Sequence, residues 1–182
     1  MLEQYLVEHC SPTLAGLKTA NLFSVRFIDE EELNQHMKQC EKNFQNKGVS
    51  LILLKKRADT ALIYVCRREK LQKDLQKNGV KEFLKKYGYE NTDEEAIACL
   101  KARLNLEEKF PHEIGLFLGY PLGDVIGFIE NAGKNSKCAG CWKVYCNECE
   151  TMKLFEKFKK CTRIYTKLWR QGTSVEKLTV AA

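Results

Sequence analysis

The stretch Val49-Ser-Leu-Ile-Leu-Leu-Lys-Lys56, Arg57-Ala-Asp59, Thr60-Ala-Leu-Ile-Tyr-Val-Cys-Arg67 decides the fold. Two apolar runs suited to strands flank a connection short enough for a hairpin, so an antiparallel pair is predicted. Upstream, Leu22-Phe-Ser-Val-Arg-Phe27 mixes β-branched and aromatic residues and reads as a further strand.

Helix signals surround these strands. Asp29 followed by Glu30, Glu31 and Glu32 supplies a capping acid and an acidic first turn. Leu33, Met37, Cys40 and Phe44 then form one apolar stripe that ends before Gly48. After Arg68 come Leu71 and Leu75, a break at Gly79, and Val80, Phe83, Leu84 and Tyr87 as far as Gly88. Thr92 and Glu95 make a capping box for a helix with its stripe at Ile97, Leu100 and Leu104. Leu2 to Glu8 is expected as a short helix stopped by Cys10-Ser11-Pro12. The last and longest helix is expected from about Asn147 to Gln171, with Leu154, Phe158, Cys161, Tyr165 and Leu168 on one face and Gly172 as its stop. The fold class is therefore α+β: a small, mainly antiparallel sheet packed with helices. With 182 residues, no internal repeat and no convincing linker, residues 1–182 are expected to form a single domain.

Composition narrows the setting. Hydrophobic content of 44% and charge of 30% suit a globular chain, and no apolar run approaches the roughly 20 residues that span a bilayer. The first ten residues carry acids where a secretory leader carries bases, so a cytoplasmic protein is expected, with no membrane partner. Nine cysteines in that setting read as reduced thiols. Cys40, Cys66, Cys99 and Cys161 sit at apolar periodic positions and are expected as core filler. From Lys134 onward there are eleven Lys or Arg against four acids, so this part carries the whole excess of positive charge. Lys153, Lys157, Lys160, Arg163 and Lys167 would present a basic helix face to an anionic partner, with an acidic protein such as an electron carrier expected.

Between Phe110 and Cys149 three constellations carry chemistry. Residues 111–131 match a helix–turn–helix corner, with Gly119-Tyr-Pro121 as the turn and Val125 and Ile129 packing the second helix on the first. A DNA-reading helix needs bases or amides aimed at the groove. None of Lys or Arg lies between Pro121 and Glu130, while Asp124 and Glu130 would repel phosphate, so nucleic acid is not the expected partner. Cys138, Cys141, Cys146 and Cys149 form two C-x-x-C pairs, the spacing of zinc or iron sites. Their spacer, Trp142-Lys-Val-Tyr145, reads as a strand. Extended, it would hold Cys141 and Cys146 about 16–17 Å apart, too far to share one ion at about 2.3 Å from each sulfur. The thiols are thus candidates for metal or redox chemistry, not expected all on one ion. Cys146-Asn-Glu-Cys149 would open the last helix, where the dipole lowers a thiol pKa. Third, Cys10 with a histidine, His9 or His112, could be a nucleophile and base, and Thr13, Gly16 and Lys18 could hold an anion. No orienting third group can be named, and catalysis is not assigned.

The strings His9-Cys-Ser-Pro-Thr-Leu-Ala-Gly-Leu-Lys18, Phe110-Pro-His-Glu-Ile-Gly-Leu-Phe-Leu-Gly-Tyr-Pro121, Asp124-Val125 and Trp142-Lys-Val-Tyr145 resemble an uncharacterised clostridial family, domain of unknown function 3793. The resemblance spans nearly the full length. It implies a cytosolic protein of an anaerobe and brings no activity with it. The function expected is an accessory protein using clustered thiols for metal binding or redox chemistry. The alternative is a non-catalytic protein- or nucleic-acid-binding module built on the corner.

Overall fold

The computed structural model describes residues 2–89, 92–106 and 109–182. At its centre, strands β1 (Ala20–Arg26), β2 (Val49–Lys56) and β3 (Thr60–Arg67) pair antiparallel in the order β1-β3-β2. The hairpin has the bounds read from the sequence, and Arg57 N donates to Thr60 O at 2.8 Å across its turn. Phe23 faces Ile63 on one side of β3 and Leu51 faces Val65 on the other. A register shift between Leu53 and Lys55 leaves Leu54 as the extra residue of a bulge. The central strand is apolar on both faces because helices cover both.

One face, with Phe23, Val25, Leu51 and Ile63, packs against α1 (Leu2–Leu14), α2 (Glu30–Phe44) and α9 (Val175–Leu178). The other, with Ala20, Leu54, Tyr64 and Cys66, packs against α3 (Arg68–Leu75), α4 (Val80–Lys85), α5 (Asp93–Leu106), α6 (Ile114–Phe117) and α7 (Leu122–Glu130). Beyond the sheet, β4 (Cys138–Ala139) and β5 (Lys143–Val144) form a small hairpin, followed by the long helix α8 (Glu148–Arg170). Val144, Phe155 and Phe158 close a third apolar cluster under that hairpin. No helix among the described residues is long and apolar enough to cross a membrane.

The capping signals act as read. Asp29 Oδ1 accepts from Glu31 N at 2.9 Å, and Thr92 Oγ1 accepts from Glu95 N at 3.2 Å. Leu33, Met37, Cys40 and Phe44 are all buried, as are Ile97, Leu100 and Leu104.

Four expectations need correction. α1 does not stop at Cys10-Ser11-Pro12 but continues through Pro12 to Leu14. An interior proline costs about 3 kcal/mol, whereas burying an aliphatic side chain returns about 1.5–3 kcal/mol. Cys10 to Leu14 are all buried, and Glu8, which loses the hydrogen bond, is exposed. β1 begins two residues earlier than the expected Leu22 and ends at Arg26, because Ala20 pairs with Cys66. In α8 the expected stripe holds at Phe158 and Cys161, with Leu154 and Tyr165 packed beside the core, but Phe155 joins it fully buried and Leu168 is 36% exposed. The early turns of α8 face the β4–β5 hairpin, with Trp142 edge-on to Phe155 at 4.5 Å, whereas Tyr165 packs towards the sheet. Cys40, Cys66 and Cys161 are core residues as expected, but Cys99 is only half-buried and lies against Gly88 O.

Arg67 closes the sheet-and-helix assembly. It is 4% exposed, and its guanidinium donates to Thr13 O and Leu14 O at 2.6 Å and to Val180 O at 2.7 Å. The fork thus caps the carbonyl end of α1, where a cation also suits the dipole, and ties on the segment after α9. Replacing it removes three hydrogen bonds at once, although Thr13 O and Leu14 O keep the amides of Gly16 and Val180. Arg67→Met is expected to lower stability by about 3 kcal/mol in urea denaturation, and Arg67→Lys to recover only part of it, since one ammonium cannot span the three carbonyls.

Candidate functional site

The corner expected at 111–131 is present. α6 ends at Phe117, Gly119 takes φ +77° to turn the chain, and α7 begins at Leu122 with Val125 buried beneath it. Tyr64 Oη donates to Phe117 O at 2.6 Å and fixes α6 to the central strand. His112 is a surface residue, its ring 5.0 Å from that of Phe128.

The outer face of α7 is occupied. Asp124, 2% exposed, accepts from Trp142 Nε1 at 2.8 Å, from Tyr145 N at 2.8 Å, and from the backbone N and Sγ of Cys146 at 2.9 and 3.1 Å. Burial alone would raise this carboxyl; the donors from Tyr145, Trp142 and Cys146 hold it below its ordinary range. A Cβ on Gly127 would sit 2.5 Å from the Tyr145 ring, so only glycine admits so close a contact. The hairpin thus covers this face of α7.

The spacer between the C-x-x-C pairs is not a four-residue strand. Only Lys143 and Val144 are extended, and they fold back to pair with Ala139 and Cys138, leaving Cys141 at the tip. Trp142 turns inward, stacked on Tyr120 at 4.4 Å, and Tyr145 is drawn to Asp124.

The four thiols face different surroundings. Burial, then the Glu148 and Asp124 carboxylates, raises the Cys138 thiol. Cys146 donates to Asp124, and its pKa is raised by burial and by that carboxylate. This reverses the lowering expected at the opening of α8: burial raises the thiol first, and the Asp124 carboxylate adds to the rise. Cys149 is exposed in the first turn of α8. Cys141 is exposed too; burial of part of its surface raises its pKa, while the Lys18 and Lys159 ammonium groups pull the other way. Among the described residues no group of three or more His, Cys, Asp or Glu is placed to hold a metal ion.

Lys18 is the residue that the sequence reading undervalued. It is 7% exposed, donates to Ala20 O, and lies 5.1 Å from the centre of the Tyr120 ring. Burial draws its pKa down to about 8, against the opposing pull of Cys10 and Cys141. Among the described residues it has no carboxylate in ion-pair range. Tyr120 and Cys141 separate two cavities. One, of about 400 Å³, is lined by Phe110, Phe128 and Trp142; the other, of about 500 Å³, by His9, Lys18, Lys159 and Arg163. The signal for Lys18 was its place at the end of the His9–Lys18 string. For Asp124 it was an acid inside an otherwise apolar helix.

The nucleophile reading of Cys10 fails. Its thiol is fully buried and burial pushes its pKa far up. His9 points to the surface and stacks on Phe23 at 5.8 Å. Of the proposed anion holders, Thr13 is engaged with Asn21 at 2.7 Å and Gly16 O takes Lys70, which leaves Lys18. On α8, Lys153, Lys157, Lys160, Arg163 and Lys167 are all exposed and fall on one stripe, opposite Thr151 and Phe155.

Residues 6–179 match the model of a family described as a protein of unknown function, DUF3793. No curated protein and no solved structure matches the chain.

Asp124 governs how the hairpin sits. Asp124→Ala is expected to cost about 3 kcal/mol, since several buried donors lose their acceptor together. With its carboxyl depressed in the fold, its contribution is present above about pH 4 and lost as the pH falls through the lower folded value. Trp142 fluorescence in a Trp169→Phe background should report loosening of the hairpin in acid, and the Asp124→Ala protein should show it already at pH 7.

Proposed function

The chain belongs to the DUF3793 family, and we propose that it is a cytoplasmic accessory protein whose chemistry is thiol exchange at Cys141, with the basic face of α8 docking an acidic protein. One observation carries the reading: the buried Lys18 ammonium lines the same cleft as the exposed Cys141 thiol and Lys159. A buried cation is costly unless paired. Cys10 is sealed in the core and stays protonated. Cys141 is the solvent-exposed thiol of the pair; burial of part of its surface raises its pKa, and the Lys18 and Lys159 ammonium groups beside it act against that rise. It stands at a hairpin tip, where another sulfur can reach it.

In the exchange the Cys141 thiolate, its proton given to water, attacks one sulfur of an incoming disulfide. A bond forms between those sulfurs, the incoming S–S bond breaks, and the departing thiolate takes up a proton. A second thiol attacking the mixed disulfide restores Cys141. Nine free thiols accord with a reducing compartment, which supports the cytoplasmic assignment. The stripe from Lys153 to Lys167 supports an acidic protein as the docking partner.

Zinc or iron would need at least three of Cys138, Cys141, Cys146 and Cys149 turned to one point. In this arrangement they face Glu148, Lys18, Asp124 and the open surface, so the four do not fit a common ion and no step is routed through one.

Native protein treated briefly with an aromatic disulfide and mapped by mass spectrometry should carry label at Cys141, with Cys149 slower and the core cysteines unlabelled. Cys141→Ser should remove the fast phase. Stoichiometric zinc or iron in anaerobically purified protein, lost in the cysteine variants, would overturn exchange in favour of metal binding.

A further inference from the structure

We infer that the cleft beside Cys141 is a binding site for a small anionic disulfide, whose carboxylate or phosphate lies among Lys18, Lys159 and Arg163 while its sulfur meets Cys141. This rests on the exchange reading above and names its substrate class. At about 500 Å³ the cleft is the size of small-molecule sites, not of a docked protein segment. Three cations line it, from the α1–β1 connection and from α8, together with His9. Two carboxylates are at hand and both are engaged: Glu156 pairs with Lys159 at 2.9 Å, and Glu8, which also lines the cleft, accepts from Gln4 at 2.9 Å.

The charge balance makes the case stronger. When Cys141 ionises for attack, its thiolate lies in the same cleft as Lys18 and balances that charge. Once the mixed disulfide forms, that sulfur is neutral, and the ammonium, 7% exposed, is left without a counter-charge. An incoming group that brings its own anion replaces what the exchange removes. A neutral disulfide leaves the cation unpaired, and a cationic one adds a second positive charge. The site therefore discriminates among disulfides through the bound product as well as through attraction on approach.

The test compares three disulfides of similar size on the full chain: dithiodipropionate, hydroxyethyl disulfide and cystamine, which are anionic, neutral and cationic. Cys141 modification is followed by mass spectrometry, with Cys149 as internal reference in its acidic surroundings. Cys141 is expected to react about tenfold faster with dithiodipropionate than with hydroxyethyl disulfide, and slowest with cystamine. Cys149, between Glu148 and Glu150, should show the reverse order. Lys18→Met and the double change Lys159→Ala, Arg163→Ala should each lower the ratio of the dithiodipropionate rate to the hydroxyethyl disulfide rate at Cys141 towards one, whatever they do to the ionisation that both rates share.

The groups around Lys18 are Cys10, Glu8 and His9 from α1, Tyr120 from the corner, Cys141 from the hairpin and Lys159 and Arg163 from α8. The ratio of anionic to neutral rates cancels the ionisation of Cys141. It should fall as the pH rises through about 8, where Lys18, lowered by burial, loses its charge, and should not fall in Lys18→Met. In Cys141→Ser protein, where exchange cannot occur, inorganic phosphate or succinate should raise the melting temperature in a manner that Lys18→Met abolishes. Equal rates for all three disulfides at Cys141, with neither anion stabilising the Cys141→Ser protein, would overturn the inference and leave exchange standing. A Cys141 inert to all three would remove exchange itself, and anion stabilisation alone would then mark the cleft as a plain anion site.

Discussion

A single carboxylate with four donors holds the chemically interesting part of this molecule in place. Asp124 rises from α7 and takes hydrogen bonds from Trp142, Tyr145 and Cys146, all belonging to the segment that carries the clustered thiols. Were these contacts absent, a hairpin of two residues per strand would have little to define its position. With them, Trp142 is pressed between Tyr120 and Phe155, and the tip at Cys141 is delivered to Lys18. The acid that looked like a deterrent to phosphate in a helix–turn–helix reading is the anchor of a different construction.

Placement of the thiols follows from that anchor. The two-by-two spacing of the cysteines suggests a cage in which all four act alike. Asp124 instead gives each its own surroundings: Cys146 is held as a hydrogen-bond donor, Cys138 is turned towards Glu148, and Cys141 is left at a cationic edge. Charge within a few ångströms, rather than membership in a motif, separates a reactive thiol from a structural one.

The sheet was legible because its signals are local. Apolar runs, three connecting residues and the acids at Asp29 to Glu32 each report on neighbours a few positions away. The same holds for the corner at Gly119, whose turn needs only its own backbone. What could not be read depended on partners far along the chain. Pro12 stays within α1 because Cys10 to Leu14 find a core to enter. The Trp142–Tyr145 spacer has strand composition, yet its ends obey Asp124, roughly twenty positions earlier. The importance of Lys18 appears only when residues 120, 141 and 159 are brought beside it.

The seat of Arg67 also imposes an order on biosynthesis. Its acceptors on α1 precede it, but the carbonyl of Val180 lies 113 positions later. At ribosomal speeds of about 5–20 residues per second, the guanidinium waits roughly 6–23 s for that last acceptor. The nascent chain can assemble its sheet early, yet water must serve at this position until the closing segment emerges.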